Sequence, residues 1–82
     1  MKISMENLEK FVNLTSGSQK VILNILKLYG KITPAMTNAN LAHNLDVDTA
    51  TISRVIKELK LKGILEDAGF KSYKITENFI QL

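Results

Sequence analysis

Residues 37–65 read TNANLAHNLDVDTATISRVIKELKLKGIL. The spacing predicts two helices joined by a short turn around Leu45-Asp46-Val47-Asp48. In the second helix Ile52, Val55, Ile56 and Leu59 recur at helical spacing and form an apolar stripe. The remaining positions, Thr49, Ala50, Thr51, Ser53, Arg54 and Lys57, are small, polar or basic. A helix that enters a DNA major groove needs such a surface. Short side chains permit close approach, hydroxyls reach phosphates, and a long cation reaches a base edge or the backbone.

Thr37 reads as the N-cap of the first of these helices, with Leu41, Ala42 and Leu45 on its buried side. Asp46 falls where the turn calls for positive φ, a conformation that Gly supplies best and Asp tolerates. Val47 is expected to plug the turn into the core. Asp48 caps the second helix and complements its dipole. That helix is expected to end near Lys62-Gly63.

Upstream, Ser16-Gly17-Ser18-Gln19 has the form of a capping box with Ser16 as the cap. A helix follows through Val21, Ile22, Ile25, Leu26 and Tyr29, with Gly30 as its stop and Asn24 and Lys27 on its wet side. Residues 4 to 13 carry Met5, Leu8, Phe11 and Val12 at helical spacing and read as a short amphipathic helix. Lys31-Ile32-Thr33 is a short β-prone segment ended by Pro34. Downstream, residues 64 to 67 read as a strand, Ala68-Gly69 as a tight turn and residues 70 to 75 as the return strand. Its aromatics Phe70 and Tyr73 are expected to close a core. Thr76-Glu77-Asn78 is expected to cap a last short helix carrying Phe79, Ile80 and Leu82.

The order is helix, helix, short strand, helix, helix, hairpin, tail. Three helices closed by a two-stranded hairpin resemble the winged helix-turn-helix domain, and the resemblance covers about residues 16–76. Two groups within it are similar. MarR-like regulators share the L-A-x-x-L…T-I-S-R-x-I-x-x-L-x-x-x-G-I-L run of residues 41–65. RepL-like replication initiators of small Gram-positive plasmids share an opening like L-T-S-G-S-Q-K-V-I-L-N-I-L and a closing like Y-K-I-T-E-N-F. The chain departs from the regulators at Asp46, where Gly is usual, and its Ala68-Gly69 turn is short for a wing.

The expected fold is therefore mostly α (α+β): a winged helix-turn-helix with a three-helix core, a two-stranded β-hairpin wing and short terminal extensions. One domain spans residues 1–82, with its core at about 16–76. A chain of 82 residues buries only about 60–65% of its unfolded surface and gains from a partner. Helix-turn-helix dimers read palindromic half-sites. A homodimer is thus expected, with Met5, Phe11, Phe79, Ile80 and Leu82 at its interface.

The resemblance implies binding of double-stranded DNA, foremost as a transcriptional regulator. The alternatives are a plasmid or viral replication initiator or copy-control protein, and a winged helix that contacts another protein. Thr49, Ala50 and Thr51 at the helix start would face base edges or phosphates, with Ser53, Arg54 and Lys57 further along. An Arg bidentate to guanine is worth roughly 1–3 kcal/mol of discrimination. Lys71 and Lys74 on the hairpin, and Thr37, Asn38 and Asp48 at the helix starts, complete the expected DNA-binding set. Lys60 and Lys62 read as solvated lysines at a helix C-terminus.

The charge distribution agrees. The net charge is only +3, but residues 49–63 hold Arg54, Lys57, Lys60 and Lys62 against Glu58 alone. Residues 18–35 add Lys20, Lys27 and Lys31 without an acid, whereas Lys2 and Lys10 balance Glu6 and Glu9 near the N-terminus.

Other classes find little support. Cys is absent, which fits a reducing cytoplasm and removes thiolate metal sites. His43 is the single histidine and reads as a surface residue, so no metal or cofactor is expected. No apolar run approaches the roughly 20 residues of a membrane span, and no signal peptide is apparent. There is no P-loop, dinucleotide fingerprint or Gly-x-Ser-x-Gly, so no enzyme activity is expected.

Overall fold

The computed structural model describes residues 2–81. In chain order the elements are α1 (Met5–Val12), α2 (Ser16–Leu28), α3 (Asn38–Asn44), α4 (Thr49–Leu61), β1 (Leu65–Asp67) and β2 (Tyr73–Ile75). They form a small α+β domain with four helices and an antiparallel hairpin.

Each helix starts on an extended residue whose side-chain oxygen takes an otherwise orphaned N–H. Ser4 accepts from Asn7 N at 3.1 Å, Thr37 from Asn40 N at 3.1 Å and Asp48 from Thr51 N at 2.6 Å. The start of α2 differs from the expected capping box. The cap is Thr15, which accepts from Ser18 N at 3.3 Å. Gln19 does not reach back to its own helix start. Its amide donates to the last carbonyls of α1, Phe11 O at 3.1 Å and Val12 O at 3.0 Å. Those C-terminal carbonyls lack helical partners, so a donor from the next helix serves them and fixes the α1–α2 corner. Asn24, expected on the wet side, is half-buried and donates to Leu45 O at 3.3 Å.

The α3–α4 turn matches its reading. Asp46 adopts φ +57 and Val47 packs against the core. The helices then bury one face each. Val21, Ile22 and Ile25 of α2 meet Leu41, Ala42 and Leu45 of α3 and Ile52, Val55, Ile56 and Leu59 of α4. Ile64, Leu65 and Ile75 close the core from the hairpin.

In the hairpin Leu65 pairs with Ile75, Glu66 with Lys74 and Asp67 with Tyr73. The return strand is shorter than expected and starts at Tyr73, not Phe70. The loop 68–72 is closed by Ala68 N to Ser72 O at 3.0 Å, and Gly69 (φ +99) and Lys71 (φ +56) leave the β region. Segment 31–36 lines the free edge of β2. Ile75 N donates to Lys31 O at 2.9 Å, Thr33 N to Tyr73 O at 2.8 Å and Met36 N to Lys71 O at 3.0 Å. The expected short strand is thus a ladder edge with a single bridge, Ile32 to Lys74. The buried Ser72 hydroxyl donates to Thr33 O, and Tyr73 N donates to the Thr33 hydroxyl at 3.0 Å.

The chain ends also depart from expectation. Among the described residues no helix follows Thr76. Phe79 N and Ile80 N both donate to Thr76 O, at 3.1 and 3.2 Å, and the turn stops there. Gln81 pairs instead with Lys2 (Lys2 N to Gln81 O 2.6 Å, Gln81 N to Lys2 O 2.8 Å). So short a segment cannot repay helix nucleation, whereas pairing with the other chain end satisfies its backbone. Asn7 Nδ2 adds a donor to Asn78 O at 2.6 Å. Phe79 and Ile80 are buried in the chain's own core and Phe11 packs against it. Among the described residues expected between copies, only Met5 is largely exposed, at 70%. Leu82, expected in that contact and in the last helix, lies outside the described residues.

Among the described residues no helix is long and apolar enough to cross a membrane.

Candidate nucleic-acid interface

The burial of Ile52, Val55, Ile56 and Leu59 fixes how α4 is rotated. A turn of roughly 100° per residue then puts Ala50, Arg54, Lys57 and Leu61 in one row on the opposite side. All four are exposed, Leu61 at 80%. Thr49, Ser53 and Lys60 occupy the flank beside the hairpin, also exposed. Thr51, expected on this face, lies on the other flank, half-buried, with its methyl beside Gly17 of α2. Glu58 shares that flank and accepts from Ser18.

Ion pairing then sorts the cations of α4. Lys60 Nζ is 2.7 Å from Asp67 Oδ1 and 5.2 Å from the centroid of the Tyr73 ring. Lys62 Nζ is 3.2 Å from Glu58 Oε1. Both lysines, expected to be simply solvated, are neutralised by neighbours. Arg54 and Lys57 make no ion pair among the described residues. The outward row keeps its positive charge while the rear of the helix is balanced.

The hairpin lysines separate in the same way. Lys74 Nζ lies 3.1 Å from Glu66 Oε1 across the strand pair. Lys71 has no acidic partner among the described residues, and its Nζ sits 5.1 Å from the centroid of the Phe70 ring. Phe70 does not close a core as expected. It stands 80% exposed on the hairpin loop. Gly69 and Lys71 flank it at positive φ, and a residue between two such positions cannot follow the in–out alternation of a strand; of the two, only Gly69 is a cue in the sequence. Tyr73 is half-buried and does pack against the core.

Thr37 and Asn38 reach the same side of the molecule, because the Tyr73 hydroxyl donates to Asn38 Oδ1 at 3.0 Å. With Met36, Lys71 and Tyr73 they line an open cleft of about 290 Å³ between the start of α3 and the hairpin. Their polar atoms are largely spent: the Thr37 hydroxyl caps α3 and the Asn38 carbonyl holds Tyr73. Asp48 is also engaged. The backbone N–H of Thr51 bonds its carboxylate and holds its pKa below the ordinary 3.8, with further help from the Thr51 side chain and the charge of Arg54. Asp48 thus caps α4 and orients its first turn.

His43 is exposed, and among the described residues no group of three His, Cys, Asp or Glu side chains is placed to hold a metal ion. No family model, no curated protein and no solved structure matches the chain.

Proposed function

We propose that this chain is a winged-helix domain that binds double-stranded DNA in a sequence-specific way, as a transcriptional regulator. In this reading α4 lies in the major groove and the hairpin is the wing. One observation carries it: α4 buries a continuous apolar face, neutralises Lys60 and Lys62, and leaves Arg54 and Lys57 without an ion pair among the described residues, beside small residues on the outward side. Ala50, Thr49 and Ser53 permit close approach to base edges, and Arg54 supplies the fork that recognises guanine. Lys57 and Lys71 add salt-dependent affinity by releasing counterions from phosphates. Thr37 and Asn38 sit on the same side but serve mainly to anchor α3 to the hairpin.

A specific observation favours a second reading. Leu61 continues the row of Ala50, Arg54 and Lys57, and an 80% exposed leucine suits a protein surface better than a phosphate backbone. In that reading the same winged helix docks on another protein.

Selection of bound sequences from a random duplex pool, repeated with Arg54→Ala, tests the proposal. A recovered inverted repeat that loses definition at one position in the variant supports a groove-reading regulator. Directly repeated sites move the assignment to a replication initiator. No enrichment at low salt overturns DNA recognition and favours the protein partner.

A further inference from the structure

Away from the proposed DNA face, α1 and α2 leave an apolar strip uncovered. α1 turns Asn7 and Phe11 inward. Its helical period then sets Met5, Leu8 and Val12 along one flank, 70%, 40% and 63% exposed. Leu23 of α2 continues the strip at 54% exposure. Leu8 and Leu23 share one wholly apolar groove of about 150 Å³. Surface apolar residues scattered singly need no explanation, but four in one strip do.

The two borders of the strip carry opposite charge. On α1, Glu9 is four residues from Met5 and three from Val12, so it edges the row. On α2, Lys27 is four residues beyond Leu23 and edges it from the other side. Both are exposed, and neither makes an ion pair among the described residues. A two-fold rotation about an axis through the Leu8–Leu23 boundary lays apolar surface on apolar surface. The same rotation brings the acidic border of one copy onto the basic border of the other. Such a patch is complementary to itself, which is the requirement of an isologous contact.

We infer that this face joins two copies of the chain into a dimer. The interface is built from Met5, Leu8, Val12 and Leu23 with Glu9–Lys27 pairs at its two ends. It leaves α4 free: the Thr51–Glu58 flank of α4 faces α2, and the Arg54 row lies about a quarter-turn away. The inference stands without DNA, so its failure and that of the proposed function are separable.

Sedimentation of the full chain from low micromolar to millimolar concentration is the test. Wild type should show a reversible monomer–dimer equilibrium. Val12→Glu and Leu23→Glu, both at exposed positions, should be monomeric while keeping the wild-type circular dichroism and the unfolding midpoint of dilute, dissociated wild type. Glu9→Lys should weaken dimerisation by roughly fivefold or more, since symmetry counts each exposed pair twice. Glu9→Lys with Lys27→Glu should restore it. A monomeric wild type, a dimer indifferent to Val12→Glu and Leu23→Glu, or a double swap no better than the single one overturns the inference.

Discussion

The Ser18 hydroxyl donates to Glu58 Oε2 at 2.9 Å and so joins the first turn of α2 to the last turns of α4. Ser18 is fully buried, and its oxygen also receives the Thr15 hydroxyl at 3.0 Å. A relay of three side chains therefore fixes the angle at which α4 leaves the core. Whatever α4 presents outward depends on that angle.

Ser18→Ala is expected to destabilise the domain by about 1–3 kcal/mol, the cost of removing a hydrogen bond to a charged group. Glu58 remains tied to Lys62, which keeps the loss from exceeding that range. Urea unfolding checks it. An unchanged midpoint would show that the relay is idle in solution.

Acid should weaken the same contact. The Ser18 hydrogen bond, with smaller help from Lys62 and Arg54, holds the Glu58 carboxyl below its ordinary 4.5. A carboxylate depressed in the folded state contributes stability that is complete above the unfolded value. The contribution is lost as pH falls through the folded value. Glu58→Gln can still accept from Ser18 but does not titrate. Its stability should fall less than that of wild type between about pH 5 and about pH 2. Parallel acid limbs for the two proteins in thermal unfolding would contradict this.

The α3–α4 turn holds a correctable strain. Asp46 sits at φ +57, a conformation that costs an L-residue about 1–2 kcal/mol. Asp46→Gly relieves it but adds about 0.5–1 kcal/mol of unfolded-state freedom. Asp bears this conformation more easily than most L-residues, so the net expectation is a stabilisation of at most about 1 kcal/mol. The converse holds at Gly63, at φ +71, where a Cβ meets nothing within 4 Å. Gly63→Ala should cost about 1 kcal/mol from backbone strain alone. Denaturant midpoints of both variants decide the matter, and a shift of the same sign in both would refute it.

Much of this was legible in the sequence because it is local. The apolar periods of α2 and α4, the caps Thr37 and Asp48 and the left-handed Asp46 depend on a few neighbouring residues. The miscast parts depend on contacts distant in the chain. Gln19 serves α1, Ser18 serves α4, and Gln81 serves Lys2, none of which a four-residue motif announces. At the candidate site the period of α4 is readable, but Thr51 has the chemistry of a contact residue and the helical angle of a flank. The division of the lysines into paired and free needed Asp67 and Glu66, which only the folded hairpin brings to them.

Among the described residues Lys71 has no acidic partner and Lys74 is held by Glu66, yet both stand on the hairpin and carry the same charge. If the hairpin meets a phosphate backbone as proposed, Lys71→Ala should weaken duplex binding uniformly across sequences. It should also reduce the slope of log affinity against log salt by about 1. Lys74→Ala should change that slope much less, because a lysine already paired across the strands neutralises few phosphates. Phe70→Ala should leave stability within about 0.5 kcal/mol of wild type, since its ring is mostly in solvent. It should lower DNA affinity if the ring slides between base steps or along a groove wall. Titrations at several salt concentrations with the three variants separate these effects. Equal slopes for Lys71→Ala and Lys74→Ala, with Phe70→Ala binding as wild type, would remove the hairpin from the interface and leave α4 as the sole contact.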